Sequence, residues 1–204
     1  MDDVAATVEH YRSEIAGRTA DQIIDWALGE FGAGGITVAS SLGAEDQVLT
    51  DMISRRPQQP SVFTLDTGRL FQETYDLIER VRSRYGITIQ IYFPDPHGVE
   101  EMVAEHGVNL FYSSIENRKR CCHIRKVVPL SRALAGKQAW VTGLRRGQSV
   151  TRTTLETVEW DEAHRLFKIA PLADWSEEDT WSYIRENNVP YHRLHDQGFR
   201  SIGC

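Results

Sequence analysis

Apolar positions along the chain follow two periods, one typical of helices and one typical of buried strands. Between residues 20 and 31 they recur every three or four positions, which predicts an amphipathic helix. The next apolar stretch, GITVAS (35–40), is short and preceded by glycines, so it predicts a buried strand. Extended along the chain, this change of period predicts strands at 35–40, 61–66, 87–93 and 139–143, and helices at 20–31, near 48–53, at 71–85, at 99–106 and from the paired cysteines to Gly136.

The remaining C-terminal part has a different order of elements. LETVEW and RLFKIA flank the turn-forming stretch DEAH and predict a hairpin. SEEDTWSYIRENN predicts a helix, with Ser176 as its N-cap and acidic residues in its first turn. Residues 189–204 have no clear period and predict a loop.

Strands that alternate with helices are typical of a mostly parallel sheet with helices on both faces. A chain of 204 residues without repeats or linkers predicts a single α/β domain, 1–204. Ligands of such sheets bind at the carboxyl ends of the strands. We therefore expect a functional site in three strand-end loops, SSLGAED, LDTG and TGLRRGQSVTR.

Composition limits the choice of partners. The formal net charge of −6 argues against a nucleic-acid-binding domain, which is usually basic. No apolar run is long enough to span a membrane, and the acidic, polar N-terminus does not resemble a secretory signal. These features predict a cytoplasmic protein, and local clusters of positive charge still allow a small anionic ligand.

Two of the three loops give weak indications when each is taken alone. Ser40, Ser41 and Gly43 precede a helix, where backbone N–H groups and hydroxyls can bind an anion, although a plain turn is the more economical interpretation. Asp66 and Thr67 could hydrogen-bond a nucleoside, or Asp66 could cap the following helix.

The third loop carries stronger evidence. Gly143, Arg145 and Arg152 belong to a glycine-flanked stretch in which guanidinium groups suit phosphate or sulfate. A solvated basic loop is about as plausible from the residues alone.

The sharpest feature is the cysteine pair, Cys121 and Cys122, inside the cationic run RKRCCHIRK. Positive charge lowers thiol pKa and favours thiolates over inert buried thiols. Neighbouring helical side chains point about 100° apart, so these two could each hold a different iron of one cluster. Zinc more usually takes a C-x-x-C spacing. Only one other cysteine exists, Cys204, so a four-ligand site lacks one ligand.

Taken in order, these motifs resemble the assimilatory sulfonucleotide reductases of the iron–sulfur type, the adenosine 5′-phosphosulfate (APS) reductases. CCHIRKVVPL is similar to their paired-cysteine segment, and GFRSIGC to the start of their SIGC-x-P-C segment. The resemblance implies an adenine nucleotide α-hydrolase-like fold. It implies that Cys121, Cys122 and Cys204 ligate a 4Fe–4S cluster, with the fourth cysteine expected beyond residue 204.

The resemblance also implies roles for the loop residues. Lys126 would lie between cluster and substrate sulfate as the catalytic candidate. The implied substrate-binding residues are Ser40, Ser41 and Gly43 at the phosphosulfate, Asp66 and Thr67 at the nucleoside, and Gly143, Arg145 and Arg152.

The implied reaction is thioredoxin-dependent reduction of APS to sulfite and AMP. Its nucleophilic cysteine lies in a C-terminal ECGLH segment that this chain lacks, so we expect a chain truncated within SIGC. Three alternatives stay open: a reductase of the 3′-phosphorylated substrate PAPS, an adenylyl-transferring or RNA-thiolating enzyme of the same fold, and a non-catalytic, zinc-stapled nucleotide-binding module. Whether the protein forms a homo-oligomer also stays open.

Overall fold

The structure, a computed structural model, describes residues 2–148 and 154–202. One six-stranded sheet has the order β3-β2-β1-β4-β6-β5, in which every neighbouring pair is parallel except β5 and β6. The predicted mostly parallel α/β sheet is thus confirmed. Its strands are β1 (Ile36–Ala39), β2 (Ser61–Leu65), β3 (Ile89–Tyr92), β4 (Ala139–Thr142), β5 (Val158–Asp161) and β6 (Leu166–Ile169).

Eight α-helices connect and cover these strands within the described ranges. They are α1 (Asp2–Ile15), α2 (Ala20–Gly35), α3 (Ala44–Ser54), α4 (Gln72–Tyr85), α5 (Pro96–His106), α6 (Ile115–Cys122), α7 (Val128–Leu134) and α8 (Glu177–Glu186). Short 3₁₀ turns lie at Leu110–Tyr112, Arg146–Gln148 and Arg193–Gln197, and a π turn at His123–Val127 joins α6 to α7. No described helix is both long and apolar enough to cross a membrane.

Three local predictions were incomplete. The N-terminal helix α1 was not predicted, although Val8, Tyr11 and Ile15 bury one face of it at helical spacing. The cysteine pair ends α6 instead of opening a helix, because Ser114 caps a helix that starts seven residues before Cys122. The predicted C-terminal loop contains the 3₁₀ turn Arg193–Gln197.

The two faces of the sheet carry different cores. Neighbouring strand residues point to opposite faces, so Val62 joins the larger core cluster while Phe63 joins a smaller one. The larger cluster contains residues of α1 to α4 and α8. In the smaller one, Ala133 and Leu134 of α7 pack against Phe63 and Leu166. Helices therefore cover both faces of the sheet.

A buried carboxylate fixes α3 against two other helices. Asp51 accepts hydrogen bonds from the hydroxyls of Tyr85 on α4, at 2.9 Å, and Tyr183 on α8, at 2.8 Å. It also pairs with Arg55. Burial, the first cause, and the bond to Asp51 raise the pKa of both tyrosines, so they stay protonated donors. This network sets the position of α3, whose N-terminus faces the strand ends.

Candidate functional site

A pocket of about 790 Å³ opens at the carboxyl ends of β1, β2 and β4. This is where an α/β sheet binds its ligands. Seven of the predicted site residues line it: Ser40, Ser41, Gly43, Thr67, Lys126, Gly143 and Arg145. Asp66, Cys121 and Cys122 do not line this pocket, and Arg152 and Cys204 lie outside the described residues. The structure thus brings the three strand-end loops together with Lys126, while the role of each residue stays a prediction.

Asp46, in the first turn of α3, joins two of the loops. One of its oxygens accepts from the backbone N–H of Ser41, at 2.6 Å, and from the Ser41 hydroxyl, at 2.7 Å. The other accepts from the N–H of Gly143, at 3.2 Å. Burial raises the pKa of Asp46 to about 6, against the lowering effect of these hydrogen bonds. The carboxylate thus ties the end of β1 to the end of β4.

Gly143 makes this contact sterically feasible. A Cβ atom at this position would lie 2.4 Å from Oδ1 of Asp46 and 3.0 Å from its backbone nitrogen. No ordinary side chain fits at such distances, so the close approach of β4 to α3 requires glycine here. The position contributes to the shape of the pocket by having no side chain.

Arg145 forms a buried ion pair in the pocket wall. Its Nε and Nη2 lie 2.8 Å and 2.7 Å from Oε1 of Glu45, and its Nη1 donates to the carbonyl of Trp175. Arg145 is 6% exposed. Its charge is therefore largely balanced within the protein, and it fixes the start of α3 against the loop before α8.

Asp66 and Thr67 face different surroundings although they are neighbours. Asp66 accepts from the Tyr75 hydroxyl and from the N–H of Gly68, each at 2.7 Å, so its carboxylate shapes the loop. Gly68 adopts a left-handed φ of +72°, which glycine tolerates best. Thr67 lines the pocket, and its buried hydroxyl has no hydrogen-bond partner within residues 2–148 and 154–202.

Arg125 connects the loop after β2 with the segment that carries the cysteines. This arginine, 7% exposed, donates from Nη1 to the carbonyl of Thr67. Its Nε–H has no acceptor, and no carboxylate of residues 2–148 and 154–202 pairs with it. A buried cation without an anion is costly. Cys121, four residues before it, is buried, and Cys122 is exposed.

Two further unpartnered polar atoms belong to the pocket wall. Nδ1 of His195 lies 2.8 Å from the carbonyl of Phe199, to which it donates, and Nε2 has no hydrogen-bond partner among the described residues. The indole N–H of Trp140 on β4 is a bare donor. Buried polar groups in folded proteins nearly always have partners, so these unpartnered atoms are exceptions to the internal hydrogen bonding of the described residues, as are both side-chain amide atoms of Gln47 on α3.

Sequence reasoning missed Asp46, Arg125, Trp140 and His195. Asp46 was missed because an acidic side chain is not expected to contribute to a loop that is predicted to bind an anion. Arg125 was missed because the stretch RKRCCHIRK contains several other cations. Trp140 is a strand residue with ordinary strand propensity. Such roles depend on which atoms lack partners, and that is visible only in three dimensions.

If the pocket binds the adenine nucleotide that the sequence motifs predict, we expect Gly143→Ala to weaken binding of AMP more than tenfold, because the added methyl forces the end of β4 away from Asp46. Overpacking of this kind costs about 1–3 kcal/mol. Isothermal titration calorimetry with AMP measures the change. Gly147→Ala is the matched control, since its Cβ would lie 3.8 Å from the nearest atom, Nη1 of Arg145. Equal affinities for the two variants would contradict the steric role of Gly143.

Comparison with known proteins agrees with this geometry. The model of the phosphoadenosine phosphosulfate reductase domain matches residues 35–204. An adenosine 5′-phosphosulfate reductase of Allochromatium vinosum is 54% identical over 169 residues, which are 83% of this chain and 66% of that relative. Adenosine 5′-phosphosulfate reductase 2 of Bacillus subtilis is 41% identical, covering 97% of this chain and 85% of the relative. The chain spans just under two thirds of the first of these relatives.

Solved structures give the same result for the fold. A phosphoadenylyl-sulfate reductase from Candida auris, in complex with phosphate, superposes with a TM-score of 0.83 at 31% identity, covering 96% of this chain and 93% of that one. An FMN adenylyltransferase of Candida glabrata, at 16% identity and a TM-score of 0.62, shares the fold alone; it covers 97% of this chain and 64% of its own. The chain belongs to the phosphoadenosine phosphosulfate reductase domain family, the sulfonucleotide reductases.

Proposed function

We propose that residues 1–204 form the substrate-binding domain of a cytoplasmic enzyme that reduces APS to sulfite and AMP in sulfate assimilation. The observation that carries the proposal is the pocket in which Lys126, from the cysteine-bearing segment, meets the three strand-end loops. The names of the relatives at 41–54% identity support APS as the substrate.

The pocket suits a ligand with an anionic group joined to an apolar ring. The N-terminus of α3, from Gly43 to Asp46, borders it and presents the positive end of the helix dipole. Lys126 adds positive charge, whereas the charge of Arg145 is largely balanced by Glu45. Ala39, Phe63, Leu65, Leu130 and Trp140 give the pocket an apolar wall.

The proposed chemistry is transfer of the sulfonate group followed by its release. A cysteine thiolate of the C-terminal segment attacks the sulfate sulfur, and the bond from this sulfur to the phosphate oxygen breaks and releases AMP. The product is an S-sulfocysteine. The dithiol of thioredoxin then reduces the S-sulfocysteine, which releases sulfite and regenerates the cysteine. Thioredoxin supplies the two electrons and is left as its disulfide. The nucleophile belongs to the C-terminal segment and to no residue of this chain. Lys126 would reduce repulsion between the thiolate and the sulfate oxygens.

We infer that Cys121 and Cys122 hold part of a 4Fe–4S cluster, together with Cys204 and a cysteine beyond it. The described residues contain no group of three metal-ligating side chains, and Cys204 lies outside them. A feature four residues after Cys121 in the chain nevertheless fits such a group. Arg125 is a buried cation with a bare N–H, and the Thr67 hydroxyl beside it is bare as well. Thiolate and sulfide sulfurs are negative acceptors of the kind that the Arg125 N–H lacks.

A second candidate, reduction of PAPS, is favoured by one observation. The PAPS reductase of Candida auris superposes over nearly the whole chain at 31% identity. A zinc-stapled nucleotide-binding module is the remaining alternative, and metal analysis separates it from the cluster.

The activity test uses the protein with its C-terminal continuation. We expect sulfite release from APS in the presence of thioredoxin, with a kcat/KM for APS at least tenfold above that for PAPS. Sulfite and AMP are both quantified, since the proposed reaction yields them in equal amounts. A preference for PAPS would replace APS as the substrate, and no sulfite from either would refute reductase activity.

We expect Lys126→Ala to lower kcat/KM for APS about 100-fold, the typical cost of losing one charge-stabilising donor. The melting temperature should change little, because the side chain is only half-buried. Lys119→Ala, an exposed lysine on α6, is the control. Similar kcat/KM values for both variants would leave Lys126 without its proposed role.

We expect Cys121→Ser to remove iron and acid-labile sulfide from the purified protein, together with the visible absorption of the cluster. Lys119→Ala, on the same helix, should keep the iron content of the unaltered protein. Zinc in place of iron in the unaltered protein would support the zinc-stapled module, and full iron content in Cys121→Ser would rule out ligation by this residue.

A further inference from the structure

The charged side chains of the pocket differ in whether they already have partners. The described lining contains three acidic and three basic residues: Glu45, Asp46, Glu177, Lys126, Arg145 and Arg200. Glu45 is paired with Arg145, and Asp46 accepts hydrogen bonds from the ends of β1 and β4. The carboxylate of Glu177 differs from these, because it makes no hydrogen bond or ion pair within residues 2–148 and 154–202.

Helix α8 presents Glu177 to the pocket from its first turn. Glu177 is exposed, and Trp181, one turn later on the same face, borders the pocket as well. The helix does not use the Glu177 carboxylate as a cap, because Ser176 and Asp179 form the capping box between them. A ligand in the pocket therefore meets an accessible carboxylate that is not needed to cap α8.

The charge of Glu177 acts across the whole pocket. A cube with the pocket's volume of about 790 Å³ has an edge of about 9 Å, close to the Debye length of about 8 Å at physiological ionic strength. The described lining offers no surplus of positive charge, since its acidic and basic side chains are equal in number. A ligand with one more phosphate, which carries a charge of about −2, therefore meets repulsion that this lining does not offset.

We propose that Glu177 is a specificity-determining residue that favours a nucleotide with a free ribose 3′-hydroxyl over its 3′-phosphorylated form. The inference rests on the proposed function and deepens it by naming a residue that separates APS from PAPS. A hydroxyl can donate a hydrogen bond to a carboxylate, whereas an ionised phosphate only accepts and adds like charge. An unpaired charge placed against the wrong ligand is one of the ways in which proteins achieve specificity.

Binding of the nucleotide products of the two candidate reactions tests this role without turnover. Calorimetry measures the dissociation constants of AMP and of adenosine 3′,5′-bisphosphate for the unaltered chain and for Glu177→Gln, which keeps the shape of the side chain and removes its charge. We expect the unaltered chain to bind AMP at least tenfold more tightly than the bisphosphate. We expect Glu177→Gln to reduce this preference about fivefold, the effect of a partly exposed charge. The difference between the two proteins should shrink in about 1 M salt, where the Debye length falls to about 3 Å.

Glu178→Gln is the matched control, since Glu178 lies in the same turn of α8, is exposed and does not line the pocket. It should keep the preference of the unaltered chain, as should Glu177→Asp, which retains the charge. An equal preference in Glu177→Gln and the unaltered chain would overturn the inference. An equal reduction in both glutamine variants would overturn it as well, because it would indicate the general charge of the helix end.

The same measurements separate the inference from the function on which it rests. Failure of the unaltered chain to bind either nucleotide would overturn both. Tighter binding of the bisphosphate by the unaltered chain would overturn the inference and favour PAPS as the substrate. A preference for AMP that does not depend on Glu177 would overturn the inference alone and leave APS in place.

Discussion

The three hydrogen bonds accepted by Asp46 are the constraint on which the candidate site depends. Parallel strands bring their carboxyl ends to one edge of a sheet, but they do not bring the following loops into contact. Here one carboxylate of α3 holds Ser41 after β1 and Gly143 after β4. This arrangement places a buried carboxylate in a pocket that we expect to bind an anion. Burial disfavours the charged form of Asp46, and the pKa of Asp46 is raised for this reason. The neighbouring charge of Glu45 adds to this effect, and Glu45 is itself paired with Arg145.

The second organising feature is the distribution of unpartnered atoms. Most buried polar groups of the chain are satisfied internally, as in the Asp51 network that unites α3, α4 and α8. The exceptions include Thr67, Arg125, Trp140 and His195. Three of these line the pocket, and Arg125 contacts the loop of Thr67. Gln47, fully buried on α3 and outside the pocket, is a further exception, with neither of its amide atoms partnered among the described residues.

Much of the fold was predictable from the sequence because the spacing of apolar residues changes clearly between helical and strand segments. The strands from GITVAS to AWVTG are short, buried and separated by helical patterns, and that order alone predicts a parallel sheet. Its strand-end loops then placed Ser41, Thr67 and Gly143 in one pocket. Helix α1 was missed, because its buried residues are sparse among charged ones and its burial depends on β5, far along the chain. The steric role of Gly143 was not predictable, and the residue was noted only as part of a motif. The space for a Cβ atom is taken by Asp46, which lies almost a hundred positions earlier in the chain.

The π turn at His123–Val127 adds one residue to a helical turn, with the N–H of Val128 bonded to the carbonyl of His123. An extra residue rotates everything after it by about 100° around the axis. Cys121 before the turn packs with Met102 and Leu110, whereas Leu130 after it packs toward the sheet. The extra residue of the π turn therefore lets the residues before it and the residues after it face different parts of the protein, although they belong to one continuous helical segment. Removing one residue there would shorten the segment by little and would aim α7 and the cysteines in directions that no longer suit both neighbours, so the number of residues in this turn matters as much as the side chains that it carries.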